Sequence, residues 1–236
     1  MRIRGILFDK DGTLVDFDRT WGPAYATAAV EIARLAGEVE RADRLLEVGG
    51  RDRATGRYPA RSVLACGTTR EIAVLWAGEL DIDDVDHVAA RLEAVFARTV
   101  VDGAAPVADL GELTARLCAR GLCLGVATMD SEAIAHATLA RFRIADRMSF
   151  VCGYDSGHGE KPGPGMVNAF CRHTGLAPSA VAVVGDTPHD LAMGRAAGAG
   201  LVVGVLTGTG TRETLEPLAD VVLADATGLL DLLDRG

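Results

Sequence analysis

Short apolar runs alternate with amphipathic helical patterns through the second half of the chain. The predicted strands are residues 122–128, 148–154, 180–186, 201–206 and 220–224. The predicted helices between them are residues 106–120, 131–142, 164–174 and 188–197. Gly121, Gly175 and Gly198 follow three of these helices, where glycine commonly ends a helix. This alternation predicts an α/β fold, a Rossmann-like parallel sheet with helices on both faces.

The stretch from residue 17 to residue 99 has a different pattern. Its apolar residues recur at helical spacing, as in Trp21, Tyr25 and Ile32 and again in Val88 and Leu92. It contains no convincing strand pattern. We therefore expect an all-helical insert at 17–99, and a core domain formed by 1–16 and 100–236.

Two carboxylates follow the first apolar run, residues 6–8. Asp9 and Asp11 stand where this short strand should end, and Gly12 predicts a turn directly after them. Open α/β sheets bind ligands at the carboxyl ends of their strands, which makes both residues candidates for a site. The alternative is a strand followed by an ordinary acidic turn.

Three later segments place further polar side chains after predicted strands or before predicted helices. Thr128 ends a strand, and Ser131 is a candidate N-cap of the next helix, an arrangement suited to holding a phosphate oxygen. Lys161 lies in the proline-rich loop 160–165 before another helix. An ordinary strand end and a solvated lysine are the alternatives.

The third of these segments contains Asp186 and Asp190. An apolar strand ends in Gly185 and Asp186, and Asp190 follows at a spacing that places it on the same helical face. Clustered carboxylates are costly unless a cation neutralises them, which indicates Mg²⁺. The alternative for Asp190 is a first-turn acid that interacts with the helix dipole.

Composition limits the classes of function. The formal net charge is −9 and the isoelectric point is about 5.0, which disfavours nucleic-acid or membrane binding. The first residues show no signal-peptide pattern, and no apolar run is long enough to cross a membrane. The odd number of cysteines, none in CxxC spacing, predicts reduced thiols and a cytoplasmic protein.

Taken in order, these segments resemble the motifs of the haloacid dehalogenase superfamily. The matching residues are Asp9-Lys10-Asp11-Gly12-Thr13, Thr128, Lys161, and Gly185-Asp186 with Asp190. The insert is similar to the helical cap of that family, and the whole chain looks most like its phosphoglycolate-phosphatase-like branch. A carboxylate at position 11 favours phosphoester chemistry, because the dehalogenases lack one there.

The resemblance implies a role for each motif residue. Asp9 would be the nucleophile that forms an aspartyl-phosphate, and Asp11 the general acid and base. Thr128 and Lys161 would stabilise the phosphoryl group. Gly12, Thr13 and Met129 would help to bind phosphate. Mg²⁺ would be held by Asp9, the Asp11 backbone carbonyl, Asp186 and Asp190.

Two positions depart from the family pattern. Lys10 is charged where an apolar residue is usual, and Asp130 stands where asparagine is common. We expect Lys10 either to meet substrate or to form a surface pair, and Asp130 to cap the following helix. The segment Gly208-Thr209-Gly210 is too short for a phosphate cradle.

The helical insert offers candidates for substrate recognition. Arg51, Arg53, Arg57 and Arg61 lie close together in an otherwise acidic chain, and they are candidates for binding a second anionic group. The alternative is a solvated basic loop paired with surface acids.

The expected function is Mg²⁺-dependent hydrolysis of a small phosphorylated metabolite, phosphoglycolate-like or a sugar phosphate, by a monomer or homodimer. One alternative is a phosphomutase of β-phosphoglucomutase type. Another is a non-catalytic binding or regulatory protein, such as a receiver-type signalling domain. A receiver has its phosphorylated aspartate after a later strand and has no inserted helical unit.

Overall fold

The computed structural model describes residues 3–234, so the outermost residues of the predicted core domain lie outside it. The strands are β1 Gly5–Phe8, β2 Cys123–Ala127, β3 Met148–Cys152, β4 Val181–Gly185, β5 Leu201–Val205 and β6 Val221–Leu223. The helices are α1 Phe17–Leu35, α2 Ala42–Val48, α3 Val63–Cys66, α4 Thr69–Glu79, α5 Val85–Gly103, α6 Leu110–Ala119, α7 Glu132–Arg141, α8 Gly165–Thr174, α9 Pro188–Ala197, α10 Arg212–Leu215 and α11 Leu229–Asp234.

All six strands form one sheet in the order β3-β2-β1-β4-β5-β6, and each neighbouring pair is parallel. β1 is central, with Phe8 opposite Val126 on one side and Val184 on the other. The chain order reverses on the two sides of β1. In open parallel sheets such a reversal creates a crevice at the carboxyl ends of the strands.

Helices cover both faces of the sheet. Leu7 belongs to a buried cluster with Met166 and Phe170 of α8. Ile6 and Phe8 point to the opposite face because side chains alternate along a strand, and both are fully buried as well. The predicted Rossmann-like α/β fold is therefore confirmed.

The individual elements lie close to their predicted positions, and most ends differ by one or two residues. Helix α6 is the exception, because it begins at Leu110 after Asp109, whose side chain accepts from the Glu112 backbone N–H. Gly121, Gly175 and Gly198 all adopt positive φ, as expected at helix ends. The short helices α10 and α11 were not predicted.

The chain divides into two compact units, one of residues 1–16 and 105–236 and one of residues 17–104. The second unit, called here the helical unit, contains α1 to α5 and no strand, and the structure describes all of its residues. Its boundary lies at Ala104 rather than at residue 99, because α5 continues to Gly103.

Aromatic packing and helix caps hold the helical unit together. Trp21 of α1 meets Phe96 of α5 edge to face at 5.1 Å, and the Tyr25 hydroxyl donates to the Leu64 carbonyl over 2.5 Å. Thr68 begins α4 with a capping box that Glu71 completes. In the described part of the chain, no helix has the length and apolar character needed to cross a membrane.

Candidate functional site

Asp9 and Asp186 stand side by side because β1 and β4 are neighbouring strands. Each residue directly follows the last residue of its strand. The Asp9 backbone N–H donates to the Val184 carbonyl over 2.8 Å, which extends the sheet register one residue past β1. The sheet therefore brings together two acids that are far apart in the sequence.

Lys161 connects Asp9 with Asp190. Its Nζ lies 2.6 Å from Asp9 Oδ1 and 2.6 Å from Asp190 Oδ1, and its side chain is buried. Burial opposes the ammonium charge, but Asp190 and Asp9 outweigh it and raise the pKa of Lys161. Burial raises the pKa of Asp9 to about 7, while Lys161 acts in the opposite direction.

Asp190 is the first-turn acid of α9 that was considered from the sequence, and its second oxygen faces the proposed site. It stands in the first turn of α9, where Thr187 and Asp190 form a capping box. The Thr187 backbone N–H and hydroxyl donate to Asp190 Oδ2 over 2.9 and 2.6 Å. One carboxylate oxygen thus caps the helix, and the other faces Lys161.

Only one of the two carboxylate oxygens of Asp186 accepts a hydrogen bond from the described chain. Its Oδ2 accepts from the Thr209 backbone N–H over 2.8 Å, whereas Oδ1 is buried with no hydrogen-bond partner among residues 3–234. Burial, and after it the charges of Asp9 and Asp190, raise the pKa of Asp186 well above its ordinary value. An unpartnered buried carboxylate oxygen is costly unless something else binds it.

These three acids form a site that fits a divalent cation. Asp9, Asp186 and Asp190 each offer a carboxylate oxygen, and these oxygens lie within 4.8 Å of one another. Lys161 alone supplies too little positive charge for three buried carboxylates. Because the ligands are all hard oxygens, they suit Mg²⁺ better than a soft metal.

Gly12 allows the first motif to pack closely against Asp186. It adopts φ +84°, and a Cβ there would lie 2.5 Å from the Asp186 carboxylate. The residue therefore needs both the conformational freedom and the small size of glycine.

A further loop of the site was missed from the sequence. In this segment, called here the 207–210 loop, the Thr207 hydroxyl donates to the Gly12 carbonyl over 2.6 Å and Thr209 donates to Asp186. A Cβ on Gly208 would lie 2.0 Å from Asp186 Oδ2. The available signal was the position of these glycines and threonines after the strand β5, since strand ends of one parallel sheet meet at one edge.

Lys10 and Asp130 form a buried ion-pair cluster with Asp11. Lys10 Nζ lies 2.7 Å from both Asp11 carboxylate oxygens and 3.1 Å from Asp130 Oδ2. Burial opposes the Lys10 charge, but Asp11 and Asp130 raise the pKa of Lys10 to about 12. Burial raises the pKa of Asp130 to about 6. The cluster differs from the expected surface pair, and Ser131, not Asp130, is the N-cap of α7.

The predicted phosphate-binding residues lie at the ends of β1 and β2. Thr128 is buried, and its Oγ1 accepts from the Asp130 backbone N–H over 3.1 Å, so the hydroxyl hydrogen is available to a ligand. Thr13 Oγ1 is buried without a hydrogen-bond partner in the described chain. Met129 directly follows Thr128 in the sequence and is partly buried.

The four arginines of the helical unit are exposed or partly exposed. Arg51 pairs with Asp43 at 2.8 Å, Arg53 pairs with Glu47, and Arg57 lies 3.5 Å from Asp18. Arg61 is exposed and forms no hydrogen bond or ion pair among the described residues. The pairs resemble the solvated-loop alternative for three of the arginines but not for Arg61.

The core site combines several chemical capacities in one place. It offers a carboxylate at a strand end, a fixed ammonium group, hydroxyl groups without full hydrogen bonding, and a carboxylate cluster suited to a cation. Such a set can hold a tetrahedral anion and stabilise charge that develops on it. This arrangement is typical of phosphoryl transfer.

Comparisons with known proteins identify the family of the chain. Residues 3–198 match the family model of the haloacid dehalogenase-like hydrolases. The chain is 30% identical to phosphoglycolate phosphatase of Pectobacterium atrosepticum, over 98% of this chain and 92% of the relative. It is 26% identical to N-acetylmuramic acid 6-phosphate phosphatase of Pseudomonas aeruginosa, over 100% of this chain and 96% of that protein.

A solved structure shows the same fold. A predicted phosphoglycolate phosphatase from Haemophilus somnus superposes with a TM-score of 0.76 at 19% identity, covering 98% of each chain. With a family match that spans most of the chain and phosphatase relatives along its whole length, this protein belongs to the haloacid dehalogenase-like hydrolases and is a phosphatase.

Proposed function

We propose that this phosphatase hydrolyses a small phosphorylated metabolite with the help of Mg²⁺ and through an aspartyl-phosphate at Asp9. The observation that carries the proposal is the position of Lys161, 2.6 Å from both Asp9 and Asp190, beside the unpartnered Oδ1 of Asp186. The three carboxylates suit a cation, and the cation together with Lys161 suits a phosphate monoester. We therefore infer that the site binds both ligands together.

Mg²⁺ would be held by Asp9, the Asp11 backbone carbonyl, Asp186 and Asp190. When bound, it supplies positive charge that offsets the phosphoryl oxygens and keeps nearby carboxylates ionised. Burial, and after it the charges of Asp190 and Asp11, raise the pKa of Asp9 to about 7 against the effect of Lys161, so a nucleophilic Asp9 needs added positive charge around it.

The first half of the reaction uses Asp9 and Asp11. An Asp9 oxygen attacks phosphorus, and the bond from phosphorus to the leaving oxygen breaks. Asp11 gives its proton to that leaving oxygen. The alcohol departs and Asp9 carries the phosphoryl group.

The second half uses the same two residues. A water oxygen attacks phosphorus, and Asp11 takes the water proton. The bond from phosphorus to Asp9 breaks, which releases phosphate and restores both side chains. Thr128, Thr13 and the backbone N–H of Met129 hold the non-bridging oxygens, while Lys161 offsets their charge.

The substrate class follows from the relatives and the arginines. Phosphoglycolate and N-acetylmuramic acid 6-phosphate, named in the relatives, each combine a carboxylate with a phosphate ester. A guanidinium group recognises a carboxylate through paired hydrogen bonds. We therefore propose that Arg51, Arg53, Arg57 and Arg61 include the group that selects a second anion, and Arg61 is the best candidate because it has no acidic partner.

The phosphomutase alternative differs in the acceptor of the phosphoryl group. A mutase returns it to a second hydroxyl of a sugar, whereas a phosphatase transfers it to water. Release of inorganic phosphate without any bisphosphate activator would favour hydrolysis.

We also propose a cytoplasmic location. The cysteines of the described chain are free thiols, which fits a reducing compartment.

The test is a screen of phosphate release across phosphorylated carboxylic acids and sugar phosphates, with Mg²⁺ and with EDTA. We expect Mg²⁺-dependent release, fastest with a carboxylate-bearing ester. Activity on every ester in the presence of EDTA would contradict the metal proposal, and transfer to sugar without phosphate release would indicate a mutase.

A further inference from the structure

Lys10 and Asp130 are the two departures from the family pattern, and the structure joins them into one unit. The Lys10 ammonium lies 3.1 Å from Asp130 Oδ2 and 2.7 Å from each carboxylate oxygen of Asp11. A single cation thus links the proposed proton donor to the segment that follows Thr128.

Lys10 is enclosed, whereas Asp11 is accessible. The Lys10 side chain is 1% exposed, and the Asp11 side chain is 15% exposed. A ligand that reaches Asp11 would meet its carboxyl group but not the ammonium behind it. Lys10 would therefore act on the reaction indirectly, through the carboxylates that its ammonium group contacts.

The backbone around Asp11 is already fixed. The Lys10 carbonyl accepts from Leu14 N and Val15 N over 2.9 and 3.0 Å, and Gly12 N donates to the Val15 carbonyl over 2.6 Å. The main freedom left to Asp11 is rotation of its side chain. Lys10 restricts that rotation because its ammonium group contacts both carboxylate oxygens.

The other end of the unit is anchored as well. Asp130 Oδ1 accepts from the Ser131 backbone N–H over 2.8 Å, and Asp130 N donates to Thr128 Oγ1 over 3.1 Å. Asp130 is therefore tied to the start of α7 and to a proposed phosphate-binding residue. Through Lys10, Asp11 is oriented relative to the same frame that holds the phosphate.

We propose that Lys10, anchored by Asp130, is a positioning residue that holds the Asp11 carboxyl group in place for proton transfer to the leaving group and from water. The proposal rests on the function proposed above. Both proton transfers need Asp11 in a fixed place, and a displacement of about 1 Å can cost a hundredfold in rate.

The test compares two leaving groups in Lys10→Met. An alkyl alcohol needs a proton as it departs, whereas an activated phenolate does not, and hydrolysis of the aspartyl-phosphate needs Asp11 with either substrate. With an alkyl phosphate, kcat should fall roughly tenfold to a hundredfold and KM should stay within about twofold. With 4-nitrophenyl phosphate, rapid mixing should show a burst of nitrophenolate near one equivalent, followed by slow turnover.

Three further variant proteins separate positioning from folding. Lys10→Met with Asp130→Asn removes one charge of each sign, so the buried region stays balanced, and it should show the same low kcat and the same burst. Lys10→Arg retains the cation and should recover part of the rate. Arg195→Met is the control. It breaks an ion pair outside the proposed site, in which Arg195 Nη2 lies 2.7 Å from Asp220 Oδ1, and it should leave the rates with both substrates unchanged.

Three results would overturn the proposal: unchanged rates in Lys10→Met, equal losses on both substrates without a burst, or a faster variant. The last would mean that Lys10 holds Asp11 away from the substrate. Failure of the proposed function would appear elsewhere, as a wild-type protein without phosphate release or an Asp9→Asn protein with full activity.

Discussion

The backbone amide of Thr209 donates to Asp186 Oδ2 over 2.8 Å, which ties the 207–210 loop to the proposed metal site. Because Oδ2 accepts this bond, Oδ1 is the oxygen of Asp186 that has no partner in the described chain. The orientation of the carboxylate is thus set by the 207–210 loop and not by the residues next to Asp186 in sequence. The orientation of a proposed metal ligand thus depends on a loop that follows a different strand.

Gly208→Ala tests this dependence. The new Cβ would lie 2.0 Å from Asp186 Oδ2 and 2.7 Å from Gly12 Cα, so the loop or the carboxylate must move. We expect the Mg²⁺ concentration for half-maximal activity to rise roughly tenfold or more, since outer contacts of metal ligands typically contribute that much. Gly78→Ala is the matched control, because its Cβ meets nothing within 4 Å. An unchanged Mg²⁺ requirement in Gly208→Ala would show that the loop does not orient Asp186.

Asp9→Asn should abolish turnover. An amide is not a nucleophile toward phosphorus, while its size and its hydrogen bonding to Lys161 are nearly retained. The measurement is phosphate release by the purified variant, together with mass spectrometry of acid-quenched wild-type protein to find a phosphoryl group on Asp9. A rate above about a tenth of wild type would exclude covalent catalysis at this residue.

Metal removal should stop the reaction, and Asp186→Asn should weaken the response to added Mg²⁺. Dialysis against EDTA is expected to remove activity, and Mg²⁺ to restore it. In the wild-type protein Mg²⁺ should also raise the melting temperature, because it binds only the folded state. Asp186→Asn should lose most of this rise; an equal rise in both proteins would place the cation elsewhere.

The metal-free protein should become less stable as the pH rises from about 5.5 to about 7.5. Burial raises the pKa of Asp130 to about 6 and of Asp9 to about 7. A carboxyl group with a raised pKa in the folded state binds protons that the unfolded chain has released. Its stabilisation is therefore complete below the unfolded pKa and is lost as the pH rises through the folded pKa.

Urea denaturation in EDTA at both pH values measures this change in the free energy of unfolding. One unit of pKa shift corresponds to about 1.4 kcal/mol, so a loss of at least about 1 kcal/mol is expected. Asp186→Asn, which removes another buried carboxyl group of raised pKa, should reduce the loss. Greater stability at the higher pH would contradict the assigned direction.

Arg61→Ala should lower kcat/KM for the best carboxylate-bearing substrate by roughly tenfold or more if Arg61 makes a paired contact. Hydrolysis of a small aryl phosphate should change little, because that ester has no second anion. Arg53→Ala is the matched control, since Arg53 is paired with Glu47 and should contribute less. Equal losses on both substrates would indicate damage to the helical unit, and no loss would support the solvated-loop alternative.

The sequence was sufficient where short-range patterns decide the structure. Apolar runs and glycine stops located the strands β2 to β5 and the helices between them, because strand and helix periodicities act over a few residues. The motif residues Asp9, Thr128 and Asp186 were found for the same reason, because each directly follows a recognisable strand. Lys161 was found in the proline-rich loop that precedes α8.

Only the tertiary structure decided which polar groups meet. That Lys161 lies between Asp9 and Asp190, that Lys10 links Asp11 to Asp130, and that the 207–210 loop holds Asp186 all depend on contacts between distant segments. No local pattern encodes such contacts, because strand order in the sheet determines which loops become neighbours. The sequence determined the elements and the chemistry of their ends, and the packing of the sheet determined how those ends combine.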